Sequence, residues 1–166
     1  MKRLPIFLFS AALAAAFPSS LHADNPKDEV NGEGDLVDVG DVARTFSFSI
    51  KRTADGFAGD VRLAQASEML GTFAIQGHAV CMSVSGSTAA IGVAIDAGTG
   101  TAEGKTGLVL FLEDNGIGVQ EKRDRAGFSD FVTDPSACAL SDTGAADVKS
   151  GDIAVRDGNT PPATTE

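Results

Sequence analysis

The clearest pattern of apolar and polar positions runs from Gly77 to Asp96, GHAVCMSVSGSTAAIGVAID. It reads as a β-hairpin with Gly86-Ser87 at its tip. Glycine first in a two-residue loop is the type II′ pattern, which matches the twist of paired strands. In that register Ser85 faces Thr88, Val84 faces Ala89, Met82 faces Ile91 and Val80 faces Val93. One face then carries Val80, Met82, Val84, Ala89, Ile91, Val93 and Ile95. The other carries Ala79, Cys81, Ser83, Ala90, Gly92 and Ala94, because side chains alternate with period two. The large face predicts a core wall. The small face predicts a close neighbour, and Cys81 lies on it opposite Gly92.

Other segments alternate in the same way. Arg44 to Lys51 puts Phe46, Phe48 and Ile50 inward and Thr45, Ser47 and Ser49 outward. Thr53 to Gly56 is a turn, and Phe57 to Leu63 is the second arm of that hairpin. Gln65 to Gly71 is a loop or one helical turn. Ala97 to Lys105 is small, polar and glycine-rich, a mobile loop by composition. Leu108 to Leu112 is apolar without interruption, which predicts a strand covered on both faces. Asp114 to Gly116 is a turn, Gly116 to Gly127 a charged loop and Phe128 to Thr133 a strand. Pro135 to Lys149 is irregular. Gly151 to Asp157 is a last short strand with Ile153 and Val155 inward. Seven or eight strands without helical periodicity predict one all-β antiparallel domain, a sandwich or a small barrel. The predicted core includes Phe46, Phe48, Ile50, Val61, Phe73, Ile75, Met82, Val84, Ile91, Val93, Leu110 and Phe131.

The ends differ from this body. Residues 1–23 read as an export signal: Lys2 and Arg3, then the apolar run LPIFLFSAALAAAF, then a cleavage-like Leu21-His22-Ala23. The run is shorter than the ~20 residues a spanning helix needs. The expected mature chain, from Asp24, is therefore periplasmic or extracellular with no membrane span. Residues 24–35, DNPKDEVNGEGD, read as a disordered lead-in. Leu36 to Val39 reads as a short edge strand opening a β-domain over 36–157. Residues 158–166 form a loose tail, with Pro161 and Pro162 against further pairing.

Composition narrows the partners. The formal net charge is −10, and loss of Lys2 and Arg3 makes it more negative. Such a chain repels phosphate backbones and anionic membrane surfaces, so no nucleic-acid partner is expected. There is no Trp and no Tyr, which counts against sugar-stacking platforms and tyrosine-anchored interfaces.

The order FSFS, HAVCMSVSGSTAAIGVAI, FLEDNG, late Cys138 and SGDIAVRDG resembles a family of small exported bacterial all-β proteins of unknown function. In that family a C-x-x-V-x-G-N-x-A-x-I-G-G strand pair precedes a V-x-D-N-G-E-G turn, a late Cys and a closing G-x-x-x-V strand. The resemblance spans about Thr45 to Asp157. It implies a fold and no activity. This chain departs from the pattern at Ser87, Val93 and Ile117.

Candidate chemistry is sparse. Cys81 and Cys138 are the two cysteines of an exported chain and are expected to form a disulfide. Closing so long a loop contributes about 4 kcal/mol by the loop-entropy argument. Asp114, Asn115, Glu121 and Asp124 offer hard oxygen ligands for calcium in one loop, without EF-hand spacing. A Ser–His–acid hydrolase would need His78, the one histidine after the signal. His78 is expected on the apolar face, as a rim residue packed by its ring. No G-x-S-x-G elbow, H-E-x-x-H, C-x-x-C or P-loop occurs. The leading expectation is a non-catalytic binding or structural module with a protein or envelope partner; the alternative is a secreted hydrolase using Ser, His78 and an acid.

Overall fold

The computed structural model describes residues 27–36, 40–116, 122–140 and 145–159. They form eight antiparallel strands in sequence order: β1 (Glu29–Leu36), β2 (Ala43–Thr53), β3 (Gly56–Ala66), β4 (Phe73–Ser85), β5 (Thr88–Gly100), β6 (Gly107–Glu113), β7 (Arg125–Phe128) and β8 (Ala146–Arg156). Each strand pairs with the next, and β1 pairs with β8, so the sheet closes into an up-and-down barrel. The barrel, rather than the sandwich, is the architecture. Closure leaves no free first or last strand for another chain to extend.

The interior follows the predicted alternation. Phe46, Phe48 and Ile50 of β2, Val61 and Leu63 of β3, Ile91 and Val93 of β5, and Leu108, Leu110 and Leu112 of β6 are buried together. Of the expected core, only Val84 and Phe131 are partly buried, and both pack against the same cluster. The continuous run of β6 is covered on both sides as predicted. Its even positions fill the barrel, while Val109 is buried on the outer wall.

Several expectations are corrected. Residues 29–35 are not a disordered lead-in but most of β1, paired to β2 on one side and β8 on the other. Their apolar alternation was hidden because two inward positions are glycine. Gly32 is glycine for a steric reason: a Cβ there would sit 2.6 Å from the Phe48 ring. The stretch 97–100 is not loop, since β5 continues to Gly100 opposite Phe73. The seventh strand is Arg125–Phe128 rather than 128–133, and β8 starts at Ala146, inside the segment expected to be irregular. The export signal over 1–23 and residues 37–39 and 160–166 lie outside the described residues.

The central hairpin has its predicted tip. Gly86 has φ of 59°, and Ser85↔Thr88, Val84↔Ala89 and Met82↔Ile91 are paired as expected. Further down, the register breaks twice. Ala79 pairs with Val93 and Cys81 with Gly92, so Val80 is an extra residue on β4. Gln76 pairs with Ala97 and Gly77 with Ile95, so Asp96 is an extra residue on β5. Each bulge shifts the alternation by one residue. Val80 therefore does not face Val93, and Ala79 is inward rather than on the small face.

Two ladders stop before the end of the barrel. β3 pairs with β4 only over Asp60–Gln65, and β7 meets β8 through only Arg125↔Asp147 and Ala126↔Ala146. Side chains bridge both gaps. Leu110, at 2 % exposure between Ile91 and Phe128, reports on the filled interior. Leu110→Ala should cost about 2–5 kcal/mol in denaturant unfolding. A loss below about 0.5 kcal/mol, the level of a surface change, would contradict this packing.

Candidate functional site

β2 supplies a charged group at each barrel end, because its inward set runs Arg44, Phe46, Phe48, Ile50, Arg52. Arg44 Nε donates to Gln65 Oε1 at 3.0 Å, and Gln65 Nε2 donates to the Gly71 carbonyl at 3.3 Å. The Arg44 guanidinium also lies 4.9 Å from the centroid of the Phe128 ring. Phe128 and Phe131 both pack edge-on to Phe73, at centroid distances of 5.8 and 5.4 Å. At the other end Arg52 Nε donates to Asp28 Oδ2 at 2.8 Å and Nη2 to the Met82 carbonyl at 3.1 Å. Its guanidinium lies 5.1 Å from the Phe57 centroid. That hydrogen bond to Met82 spans the gap where β3 and β4 part. Asp28 also accepts from the Gly158 N–H, joining the two chain ends of the barrel. Cation–ring contact of this kind stabilises by about 0.5–2 kcal/mol. Sequence reasoning placed the three apolar side chains of β2 but missed the arginines, although the period-two pattern includes them.

The loop expected to offer calcium ligands has another role in the fold. Asp114 Oδ2 accepts from Val155 N–H at 2.9 Å, and Asp124 Oδ2 accepts from Ile153 N–H at 2.9 Å. The Asp124 carbonyl accepts from Val148 N–H. Asp124 Oδ1 also accepts from Asn115 N–H, and the Asn115 side chain donates to the Arg123 carbonyl. These groups stand in for the strand that β8 lacks on this side. Glu121 lies outside the described residues. Among the described residues no three His, Cys, Asp or Glu side chains are grouped to hold a metal ion.

His78 is corrected in position. It is on the outer wall, not the apolar face, because the Val80 bulge inverts that half of β4. Its Nδ1 lies 2.9 Å from Asp96 Oδ2 and 3.0 Å from Oδ1. Asp96 is the bulged residue of β5, and both side chains are about half exposed. Across the strands His78 neighbours Asp60, and Asp60 neighbours Ser49. Ser49 is thus two strands away, about 10 Å at the usual spacing, and its hydroxyl donates to Asn31 Oδ1.

Cys81 and Cys138 form the expected disulfide, with Cα atoms 6.1 Å apart. It fastens residues 129–140 across the outside of β4–β6 as a strap. The small face makes room for it. A Cβ on Gly92 would lie 1.7 Å from the Pro135 carbonyl oxygen, and one on Gly107 would lie 2.7 Å from the Pro135 ring. Val132 N–H donates to the Gly107 carbonyl, and the Thr106 hydroxyl donates to the Val132 carbonyl.

Comparison with family profiles, curated proteins and solved structures finds no match. One further carboxylate is notable. Asp41 Oδ2 accepts from Met69 N–H, the Ser67 hydroxyl and Glu68 N–H. The Met69 N–H, followed by the Ser67 hydroxyl, holds its carboxyl below the ordinary 3.8. It pins the β3–β4 loop.

The clamp on β8 can be tested directly. Asp124→Ala removes the acceptor of two backbone N–H groups and should cost about 1.5–3 kcal/mol, the range for a hydrogen bond to a charged group. Millimolar calcium should leave the melting temperature of the unaltered protein unchanged, since these oxygens already face amide protons. A calcium-dependent rise that Asp124→Ala abolishes would instead assign the loop to a metal.

Proposed function

We propose that this chain is an exported, non-catalytic binding or structural domain of the cell envelope or extracellular space, recognising a protein or envelope component on the outside of its barrel. The observation that supports it is the occupied interior. An eight-stranded barrel has room for packed side chains or for one small ligand. Here Ile50, Ile91, Leu108, Leu110 and Ile153 are fully buried in it, and Arg44 and Arg52 close its ends. Recognition is thereby left to the outer wall and loops. The disulfide fits an oxidising compartment. The acidic charge disfavours nucleic acid.

The wall is also built for water rather than lipid. Its outward positions include Lys51, Asp60, Arg62 and His78, all exposed, whereas a membrane barrel presents an apolar band outward. The competing reading is a hydrolase built on His78. What it has in its favour is the Asp96 carboxylate on Nδ1, the arrangement that orients a catalytic imidazole.

Two measurements separate these readings. Cross-linking of the full-length chain in the envelope of the producing cell should capture a stoichiometric partner. A His78→Ala chain should complement a deletion strain as well as the original does. Loss of complementation by a folded His78→Ala protein, with no partner captured, would favour the hydrolase.

A further inference from the structure

The β3–β4 loop carries two large apolar side chains in water: Met69 is 84 % exposed and Leu70 is 56 % exposed. They are not on a floppy tip. Asp41 Oδ2 accepts from Glu68 N–H at 2.7 Å and Met69 N–H at 3.1 Å, and the Ser67 hydroxyl accepts from Leu70 N–H at 2.8 Å. Ser67 itself is buried. A rigid apolar projection loses little conformational freedom when it docks, which favours association.

Beside this projection the outer wall of β2–β5 is hollow. Thr45, Ala64, Ala74 and Thr99 form one cross-strand row. They line two adjoining depressions of about 420 and 290 Å³. Ala66 and Thr72, which flank the loop, line the second. Arg62 lies at the far end of the first, in the next row with Ser47 and Gln76. Glu68 is exposed beside Met69.

We propose that this face binds a second copy of the chain about a two-fold axis lying across the strands, between the loop and the Ala64–Ala74 row, each Met69-Leu70 projection entering the other copy's depression. A projection and a hollow on one face make that face self-complementary, the requirement of a two-fold contact. The axis carries the Glu68 end of one copy over the Arg62 end of the other, so opposite charges meet twice. Four strands at about 4.8 Å spacing make a contact roughly 15 Å wide. From Arg62 to the loop it runs roughly 25 Å along the strands, an area on the order of 400 Å², short of the ~800 Å² per partner of a standard interface, so the dimer is weak and concentration-dependent. The net charge of each copy opposes it at low salt, and ions relieve that repulsion. This association is independent of the envelope partner proposed above.

Sedimentation of the disulfide-intact mature protein over a concentration series tests the proposal. A reversible monomer–dimer equilibrium is expected. Met69→Glu should raise the dissociation constant at least about tenfold, and so should Ala74→Arg, which fills the hollow. Glu68→Arg and Arg62→Glu should each weaken the dimer, and the double variant should restore it. Unchanged melting curves would show that these surface variants fold. A protein that stays monomeric at its highest soluble concentration would overturn the proposal. So would a dimer indifferent to Met69→Glu and Ala74→Arg, or a double charge exchange without rescue.

Discussion

The pairing of β1 with β8 is the constraint on which this structure depends. Without it the meander would be an open sheet with two unpaired edges and half its apolar face in water. With it, one cylinder encloses the alternating side chains of all eight strands. The closure is not made by backbone alone. Where β3 leaves β4, Arg52 reaches from β2 to the Met82 carbonyl. Where β7 leaves β8, Asp114 and Asp124 accept the amide protons of Val155 and Ile153. Buried backbone groups need partners, and here three charged side chains supply them where strands do not. The clamp is local in sequence on one side only, which ties the middle of the chain to its end.

That economy bears on function. The interior is taken up by core packing, and the two arginines of β2 close it with aromatic rings beneath them. A binding role of the kind proposed would fall to the loops and the outer wall. Among the described residues, the most accessible apolar feature is the Met69-Leu70 projection, fixed by Asp41 from the β1–β2 connection. The strap over β4–β6 covers a second part of the wall, with glycine at the two positions where Pro135 comes closest.

Much of this was legible in the residues. Period-two alternation identified the inner faces of β2 and β3, the uninterrupted apolar run identified the doubly covered β6, and the glycine-first loop identified the hairpin tip at Gly86. The even cysteine count in a chain with an export-like start identified the disulfide. What could not be read has a common physical cause: local irregularity that only tertiary contact decides. Glycines masked the inward face of β1, because the space at Gly32 is filled by the Phe48 ring of β2 and that at Gly34 by the Ser150 carbonyl of β8. A single extra residue at Val80 changed the side of the wall on which His78 lies, and another at Asp96 brought its carboxylate to the same side. The acids near Asp114 looked like ligands because spacing does not reveal that their oxygens meet amide protons from a strand some thirty to forty residues on.

Amide hydrogen exchange of β1 tests barrel closure most directly. Strands paired on both sides exchange only with global opening, whereas a loose lead-in exchanges freely. If β1 closes the barrel, the amides that β1 donates across both of its ladders, above all those around Gly32 and Glu33 at the centre of the paired stretch, should be protected to the same degree as those of Ile91 and Leu110. Fast exchange through Glu29–Leu36, with β5 and β6 still protected, would contradict the closed barrel.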